Sequence, residues 1–287
     1  MKSVGVIAKA ESPLAAQCVK GLLSWLSDRN FKQLMDSNTA KIAGLNSNLT
    51  IHDVVGQSDI IVAMGGDGTI IGLSRMIENR AVPLLGVNLG SLGFLTEFSY
   101  EDMFEGLEKI LNNDFAYEDR IMIDARLYND SKEKVSYTAL NDVVIHRGAL
   151  AQMIDIVVEV DDVLVNTYTA DGLIVSTPTG STAYNLSNGG PIVYPSLNSF
   201  IISPICPHTL SIRPIVLPDS VTIHISISPR VKSEVVATVD GQIAFGLGVG
   251  GKLRIAKSSK VTRIIRSPFA NYYELLRGKL KWGSLEK

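Results

Sequence analysis

The stretch Asp59-Ile60-Ile61-Val62-Ala63-Met64-Gly65-Gly66-Asp67-Gly68-Thr69 decides how the first part of the chain folds. After its leading Asp the run is continuously apolar, as expected of a central parallel strand covered on both faces. Three glycines in four positions end it. From Thr69 to Asn79 the apolar residues Ile70, Leu73, Met76 and Ile77 share one stripe, which predicts a helix, and Val82 to Val87 is the next apolar strand. Strand, helix and strand at this spacing make a βαβ unit, which requires a parallel sheet and a right-handed crossover.

The same rhythm extends in both directions. Val4 to Ala8 is strand-like, and Ser12-Pro13 opens a helix with Ser as N-cap and Pro at the first helical position. Leu14, Cys18, Leu22, Trp25 and Leu26 give that helix one apolar face. Ser99 and Asp102 form a capping box for a helix carrying Phe104, Leu107, Ile110 and Leu111. After about Phe115 the period changes from 3.6 to 2. Ile121, Ile123, Ala125 and Leu127 alternate with polar neighbours, as do Ile154 to Val160, Val221 to Ile227 and Leu253 to Ile255, with turn chemistry at Asp161-Asp162, Ser228-Pro229 and Gly250-Gly251. Tyr272 to Leu280 returns to helical spacing and is expected to pack on the first domain, since a lone helix cannot bury its own stripe. The reading is a parallel α/β domain over 1–118, joined by the C-terminal helix 268–287, and an all-β domain over 119–267.

Composition narrows the function. The 287 residues suit two domains of ordinary size, and 46% hydrophobic with 20% charged residues supply packed cores. With 27 Lys and Arg against 29 Asp and Glu, the net charge of -2 argues against nucleic acid as a partner. Mean hydropathy is +0.19, yet no apolar run is long enough to span a bilayer. The segment Met1 to Ile7 reads as a buried strand rather than a signal peptide. Cys18 and Cys206 lie far apart, and a reducing cytoplasm fits them. His52, His146, His208 and His224 have no zinc-site spacing, so any metal is expected to arrive with a nucleotide.

Two clusters carry chemistry. In the Gly65-Gly66-Asp67-Gly68-Thr69 loop, the glycines let the backbone approach a ligand closely, and the following helix N-terminus offers N–H groups to a phosphate. A carboxylate in such a loop repels phosphate unless it has another task. Asp67 is either a general base for a hydroxyl attacking a phosphoryl group or the N-cap of the helix, and the loop alone leaves both open. The pattern is neither the Walker loop nor the dinucleotide fingerprint. The second cluster runs from Asp171 to Pro191 (DGLIVSTPTGSTAYNLSNGGP). Its hydroxyls and small residues cannot fill a core but can present polar groups and the Tyr184 ring to a ligand. Asn141-Asp142, heading the apolar Val143 to Ile145, is ordinary turn chemistry taken alone.

Together these segments resemble the NAD kinase family. The GGDGT loop, the Asn141-Asp142 pair and the 171–191 run occur in the family's order and at about its spacing. Supporting pieces are Gly86-Val87-Asn88, Leu92-Gly93-Phe94-Leu95-Thr96, the segment from Pro207-His208-Thr209-Leu210 to Arg213-Pro214, and Val239-Asp240-Gly241-Gln242. The GGDGT loop is shared with diacylglycerol and sphingosine kinases; the 171–191 run is the specific part. The resemblance spans residue 4 to the final helix. It implies a Rossmann-like or phosphofructokinase-like α/β domain followed by a β-sandwich-like, NAD-binding one.

The implied reaction moves the terminal phosphoryl group of ATP, or of polyphosphate, to the 2′-hydroxyl of the adenosine ribose of NAD, with a divalent cation such as Mg²⁺. Asp67 matches the proton acceptor. Gly65, Gly66, Gly68 and Thr69 match the loop around it, and Phe94 joins the ligand-binding residues. Asn141 and Asp142 match the pair holding adenosine and ribose, and Asp171 an acidic residue at the nicotinamide end, reached from a neighbouring subunit. Thr182, Ala183, Tyr184, Asn185 and Ser187 match the wall of the adenosine pocket. Asp240 and Gln242 fall in a further lining segment, while strand periodicity adds Thr169, on the face of Asp171, and Gln152. A homodimer or homotetramer in the cytoplasm is expected. A lipid kinase is disfavoured because no amphipathic basic helix or Lys/Arg cluster is present, and a non-catalytic sensor because Asp67 is in place.

Overall fold

The computed structural model describes residues 3–9, 13–77, 80–90, 93–129, 132–148, 153–229, 231, 234–248, 250–269 and 271–282. The chain divides into two compact units, Met1–Asp119 with Thr262–Lys287, and Arg120–Val261.

The first unit runs β1 (Ser3–Ala8), α1 (Pro13–Ser27), β2 (Lys32–Met35), α2 (Ser37–Ala43), α3 (Ile51–Gln57), β3 (Ile60–Met64), α4 (Asp67–Met76), β4 (Leu84–Val87) and α5 (Tyr100–Leu111). The strands are parallel in the order β2-β1-β3-β4. Every residue of β1, β3 and β4 is buried, as continuous apolar runs require. Of the stripe on α1, Cys18, Leu22 and Leu26 are buried, whereas Leu14, in the first turn, is 50% exposed. Ser12 lies outside the described residues. The helix expected from Thr69 begins two residues earlier, at Asp67, and ends at Met76 with Ile77 as its cap. At α5, Ser99 accepts from the Asp102 N–H, but Asp102 answers to the Ser99 hydroxyl rather than to its backbone, so the capping box is only half made. The segment from β2 to α3 has weak apolar periodicity and was not legible. Its helices rest on local caps: Asp36 accepts from the Asn38 and Thr39 N–H groups, and Thr50 with Asp53 forms a full capping box.

The second unit comprises β5 (Tyr117–Asn129, which starts before the boundary), β6 (Lys132–Ala139), β7 (Asp142–Arg147), β8 (Ile154–Val160), β9 (Val163–Ala170), β10 (Gly172–Ser176), α6 (Tyr184–Ser187), β11 (Ser199–Ile205), β12 (Ile215–Pro218), β13 (Ile223–Ile227), β14 (Val235–Val239), β15 (Ile243–Gly246) and β16 (Lys252–Ile265). One antiparallel sheet has the order β12-β11-β10-β7-β14-β15, and the other carries β16-β13-β8-β9 with the β5–β6 hairpin. Ile145, Leu173, Val175 and Phe200 of the first sheet share a core with Ile156, Val158, Ile225 and Ile255 of the second, so this unit is a β-sandwich. Asp161 and Asp162, both at positive φ (48° and 64°), make the tight turn between β8 and β9. Pro191 to Val193 forms no regular element. β16 runs far beyond Leu253–Ile255 because its polar middle, Lys257 to Lys260, hides the alternation.

The chain closes with α7 (Tyr272–Leu280), in the first unit, where Leu275 and Leu276 are buried and the Tyr272 ring lies 6.4 Å from that of Phe94. The C-terminal end of β16 adds Ile264 beside Leu84 of β4. Just after it, Arg266 pairs with the buried Glu97 at 2.9 Å and with Glu118, while the Ser267 N–H donates to Glu97. Removing one member of a buried ion cluster strands the others. Arg266→Met is expected to destabilise the first unit by about 3–5 kcal/mol, read from urea unfolding; a loss below about 1 kcal/mol would show that the cluster contributes no stability.

Candidate functional site

In the first unit, β2 and β3 flank β1 on opposite sides, so consecutive connections leave β1 in opposite directions. Open α/β sheets bind ligands outside the carboxyl ends of their strands at such a switch point. Lys9 follows β1 here, Gly65-Gly66 follows β3 and Asn88 follows β4. Gly65 has φ 153°, and a Cβ on it would stand 2.5 Å from the Thr69 hydroxyl, so the turn from strand to helix admits no side chain. Gly66 takes the N-cap position without a side-chain bond.

Asp67 is therefore not the cap. It is the first residue of α4, half-buried, and its carboxylate bonds to a different loop: the Leu95 N–H (3.0 Å), the Thr96 N–H (3.2 Å) and the Thr96 hydroxyl (3.1 Å) donate to Oδ1, and the Phe94 N–H (2.9 Å) to Oδ2. Asn88 in turn donates to the Thr96 hydroxyl. Gly93 passes so close that a Cβ would lie 2.0 Å from Asp67 Oδ1. Oδ1 is saturated, whereas Oδ2 accepts one bond and keeps a lone pair for a hydroxyl proton. Gly68 is exposed at the loop's outer edge and Thr69 is buried beneath it.

In the second unit a cavity of about 620 Å³ is lined from β7, β11 and β14. Asn141, Asp142, Asp240, Ala183 and Tyr184 line it together with Asp171. Val144 on its floor belongs to a small buried apolar cluster with Ile174 and Ile205. Asp142 is 4% exposed, and burial, reinforced by the neighbouring Asp240 charge, pushes its carboxyl up to about 7. Asn141 Oδ1 is buried without a hydrogen-bond partner among the described residues, an acceptor left for a ligand donor. The Tyr184 ring is 47% exposed and available for stacking.

Other expected site residues lie elsewhere. Asn185 is fully buried: its amide donates to the Ser181 and Pro191 carbonyls and accepts from the Ser203 hydroxyl, holding the 178–191 loop together. Thr182 donates to the Thr179 carbonyl, and Ser187 is exposed on α6. The hydroxyl density of this loop is spent mainly on its own backbone. Thr169 is exposed and donates to Asp155, because the chain turns a corner at Asp171 between β9 and β10 and the strand periodicity does not carry across it. Gln242 is exposed in the turn before β15. Gln152 lies outside the described residues. Sequence reasoning missed Arg147, whose guanidinium meets Asp171 at 3.2 Å in the cavity wall, and His146 beside it. Both stand at the end of β7, where a pairing across strands has no signal in local spacing.

Known proteins share this arrangement. The ATP-NAD kinase N-terminal domain model matches residues 4–115, and the ATP-NAD kinase C-terminal domain model matches residues 140–267. NAD kinases of Geotalea daltonii and Syntrophotalea carbinolica are 43% and 42% identical to the chain, over 99% of it and 99% of their own length. The crystal structure of yeast NADH kinase complexed with NADH matches 100% of this chain and 89% of its own with a TM-score of 0.91 at 28% identity. An Archaeoglobus fulgidus NAD kinase in complex with ATP matches with a TM-score of 0.77 at 26% identity, over 96% of this chain and 98% of its own.

The Asp142 environment has a consequence for stability. A carboxyl held at about 7 in the fold, against about 4 when unfolded, keeps its proton in the native state across that interval. Its contribution is fully present below about pH 4 and is lost as pH rises through about 7. Asp142→Asn, which cannot ionise, should therefore gain thermal stability over the parent at pH 8 and lose that advantage at pH 4. Melting curves of the ligand-free proteins that shift in parallel at both pH values would refute this.

Proposed function

The chain belongs to the NAD kinase family and phosphorylates NAD to NADP with ATP, and from that premise we propose how its residues divide the work. The first unit supplies the proton acceptor and the phosphate cradle; the second supplies the pocket for the adenosine end of NAD. Asp67 Oδ2 takes the proton of the ribose 2′-hydroxyl as that oxygen attacks the terminal phosphorus of the donor, and the nucleoside diphosphate leaves. General-base assistance of this kind is worth about 10²–10⁴-fold. The head of α4, where Gly66 is the N-cap, faces the charge that develops on the transferred phosphoryl oxygens.

The observation that carries the assignment is the unequal loading of the Asp67 carboxylate. Three donors fix Oδ1 and thereby aim Oδ2, which retains capacity for the substrate proton. Asn141 Oδ1 suits the exocyclic amine of adenine, and the exposed Tyr184 ring suits its face. Among the described residues no group of three His, Cys, Asp or Glu comes together to hold a metal. A divalent cation is thus read as entering on the triphosphate, where it neutralises phosphate charge with few protein ligands. A homodimer or homotetramer is supported by the family and by exposed Val163, Leu164 and Val165 on the edge strand β9. Two free cysteines support a cytoplasmic setting.

Asp67→Asn tests the base. To keep the three bonds of Oδ1 the amide must place its NH₂ at the Oδ2 position, where it can take no proton and faces the Phe94 N–H. Turnover measured as NADP formation should fall by at least about 10²-fold, with NAD affinity in calorimetry held within a few-fold. Full activity in the variant would remove Asp67 from the chemistry.

A further inference from the structure

Asn141 stands immediately before β7 and Asp142 opens it, so Leu140 and Asn141 lie outside the strands, yet the backbone of all three residues is completely satisfied. The Leu140, Asn141 and Asp142 N–H groups all donate to the carboxylate of Asp240, at 3.2, 2.7 and 3.2 Å. The Leu140 carbonyl accepts from the Thr177 hydroxyl (2.6 Å), the Asn141 carbonyl from the Thr177 N–H (2.8 Å) and the Ser176 hydroxyl (3.2 Å), and the Asp142 carbonyl from the Asp240 N–H (2.9 Å). Gly180 closes over the Asn141 carbonyl, where a Cβ would sit 2.2 Å away. What remains open is the side chain: Asn141 Oδ1, buried and without a partner among the described residues.

The carboxylate reaches this segment from about a hundred residues away through a specific turn. β14 pairs antiparallel with β7, Val239 opposite Val143, so the residue after β14 comes level with the residue before Val143. Asp240 (φ 52°) and Gly241 (φ 62°) then form a two-residue turn of the I′ kind, closed by the Gln242 N–H on the Val239 carbonyl (2.9 Å). This left-handed turn holds the Asp240 side chain over the three N–H groups.

We propose that Asp240 is a positioning residue of the acceptor site, whose carboxylate clamps the Leu140–Asp142 backbone so that the Asn141 amide is presented to the nucleotide. It acts through that segment. The inference rests on the reading that this cavity takes the adenosine end of NAD. Loss of the carboxylate frees three buried N–H groups at once, and the segment can then satisfy them only by moving.

Steady-state kinetics with ATP, Mg²⁺ and NAD on the full chain, comparing Asp240→Ala, Asp240→Asn, Asn141→Ala and the Ala/Ala double variant, tests the clamp. Asp240→Ala should raise KM for NAD by about 10–100-fold and leave KM for ATP within about two-fold. Asp240→Asn, which keeps an oxygen for the Asn141 and Asp142 N–H groups, should recover most of the loss and serves if the Ala variant does not fold. Because Asp240 works through Asn141, the double variant should be no more than about two-fold worse than the worse single one. Effects that multiply, a parallel rise in KM for ATP, or an unchanged KM for NAD in Asp240→Ala would each overturn the proposal. If the parent forms no NADP, the NAD reading of the cavity fails instead. Hydrogen exchange still decides the clamp: acceleration of the Leu140 amide in Asp240→Asn, whose amide leaves no oxygen at the Oδ2 position, supports it, and unchanged protection at Leu140 overturns it.

Discussion

A single carboxylate accepting from three consecutive backbone N–H groups is the interaction on which both loops of the proposed site depend. Asp67 does it for Phe94, Leu95 and Thr96 in one unit, and Asp240 for Leu140, Asn141 and Asp142 in the other. Of these six residues only Asp142 belongs to a strand, so without the carboxylates the N–H groups would need water or a movement of the chain. Hydrogen bonds to an ionised acceptor are worth about 1.5–3 kcal/mol each, more than neutral ones, and leaving buried donors bare costs a similar amount. Irregular backbone is thereby held nearly as firmly as a strand.

The same device shapes the chemistry. Oδ1 of Asp67 carries three donors and Oδ2 only the Phe94 N–H, so the lone pair that the proposed proton transfer uses is on Oδ2. At the second segment the clamp has an electrostatic by-product. The Asp240 charge adds to burial in keeping Asp142 reluctant to ionise, which lets two carboxyls share one cavity wall without both being fully charged at neutral pH. Across the cavity, the Arg147 guanidinium answers Asp171 in the opposite way, by direct pairing.

Glycine and hydroxyl positions that read as ligand motifs turn out to serve these loops first. Gly93 lies against Asp67, Gly180 against the Asn141 carbonyl and Gly190 against the Asn185 amide, each too close for a Cβ. Thr177, Ser181 and Asn185 spend their polar groups on carbonyls and N–H groups of neighbouring backbone. Residue types in the 171–191 run were thus legible as a structured polar connection, but their direction was not. Spacing records that small and polar groups are needed; it does not record whether they face the ligand or the chain.

What could be read from residue order was whatever repeats locally. Buried parallel strands before glycine turns, the change from period 3.6 to period 2, the Asp161-Asp162 turn and the final helix all follow from rules that act over a few residues. The α/β and all-β classes and the motif-bearing loops were therefore accessible at the outset. Strand order, the β2 to α3 segment and the full length of β16 were not, since weak or interrupted periodicity is settled by packing against distant strands. The partners of Asp67 are 27 to 29 residues away and those of Asp240 about a hundred. A hydrogen bond leaves no mark on spacing at such separations, so the partners of these two carboxylates were set by the fold, which alone brings donor and acceptor to 2.7–3.2 Å of each other.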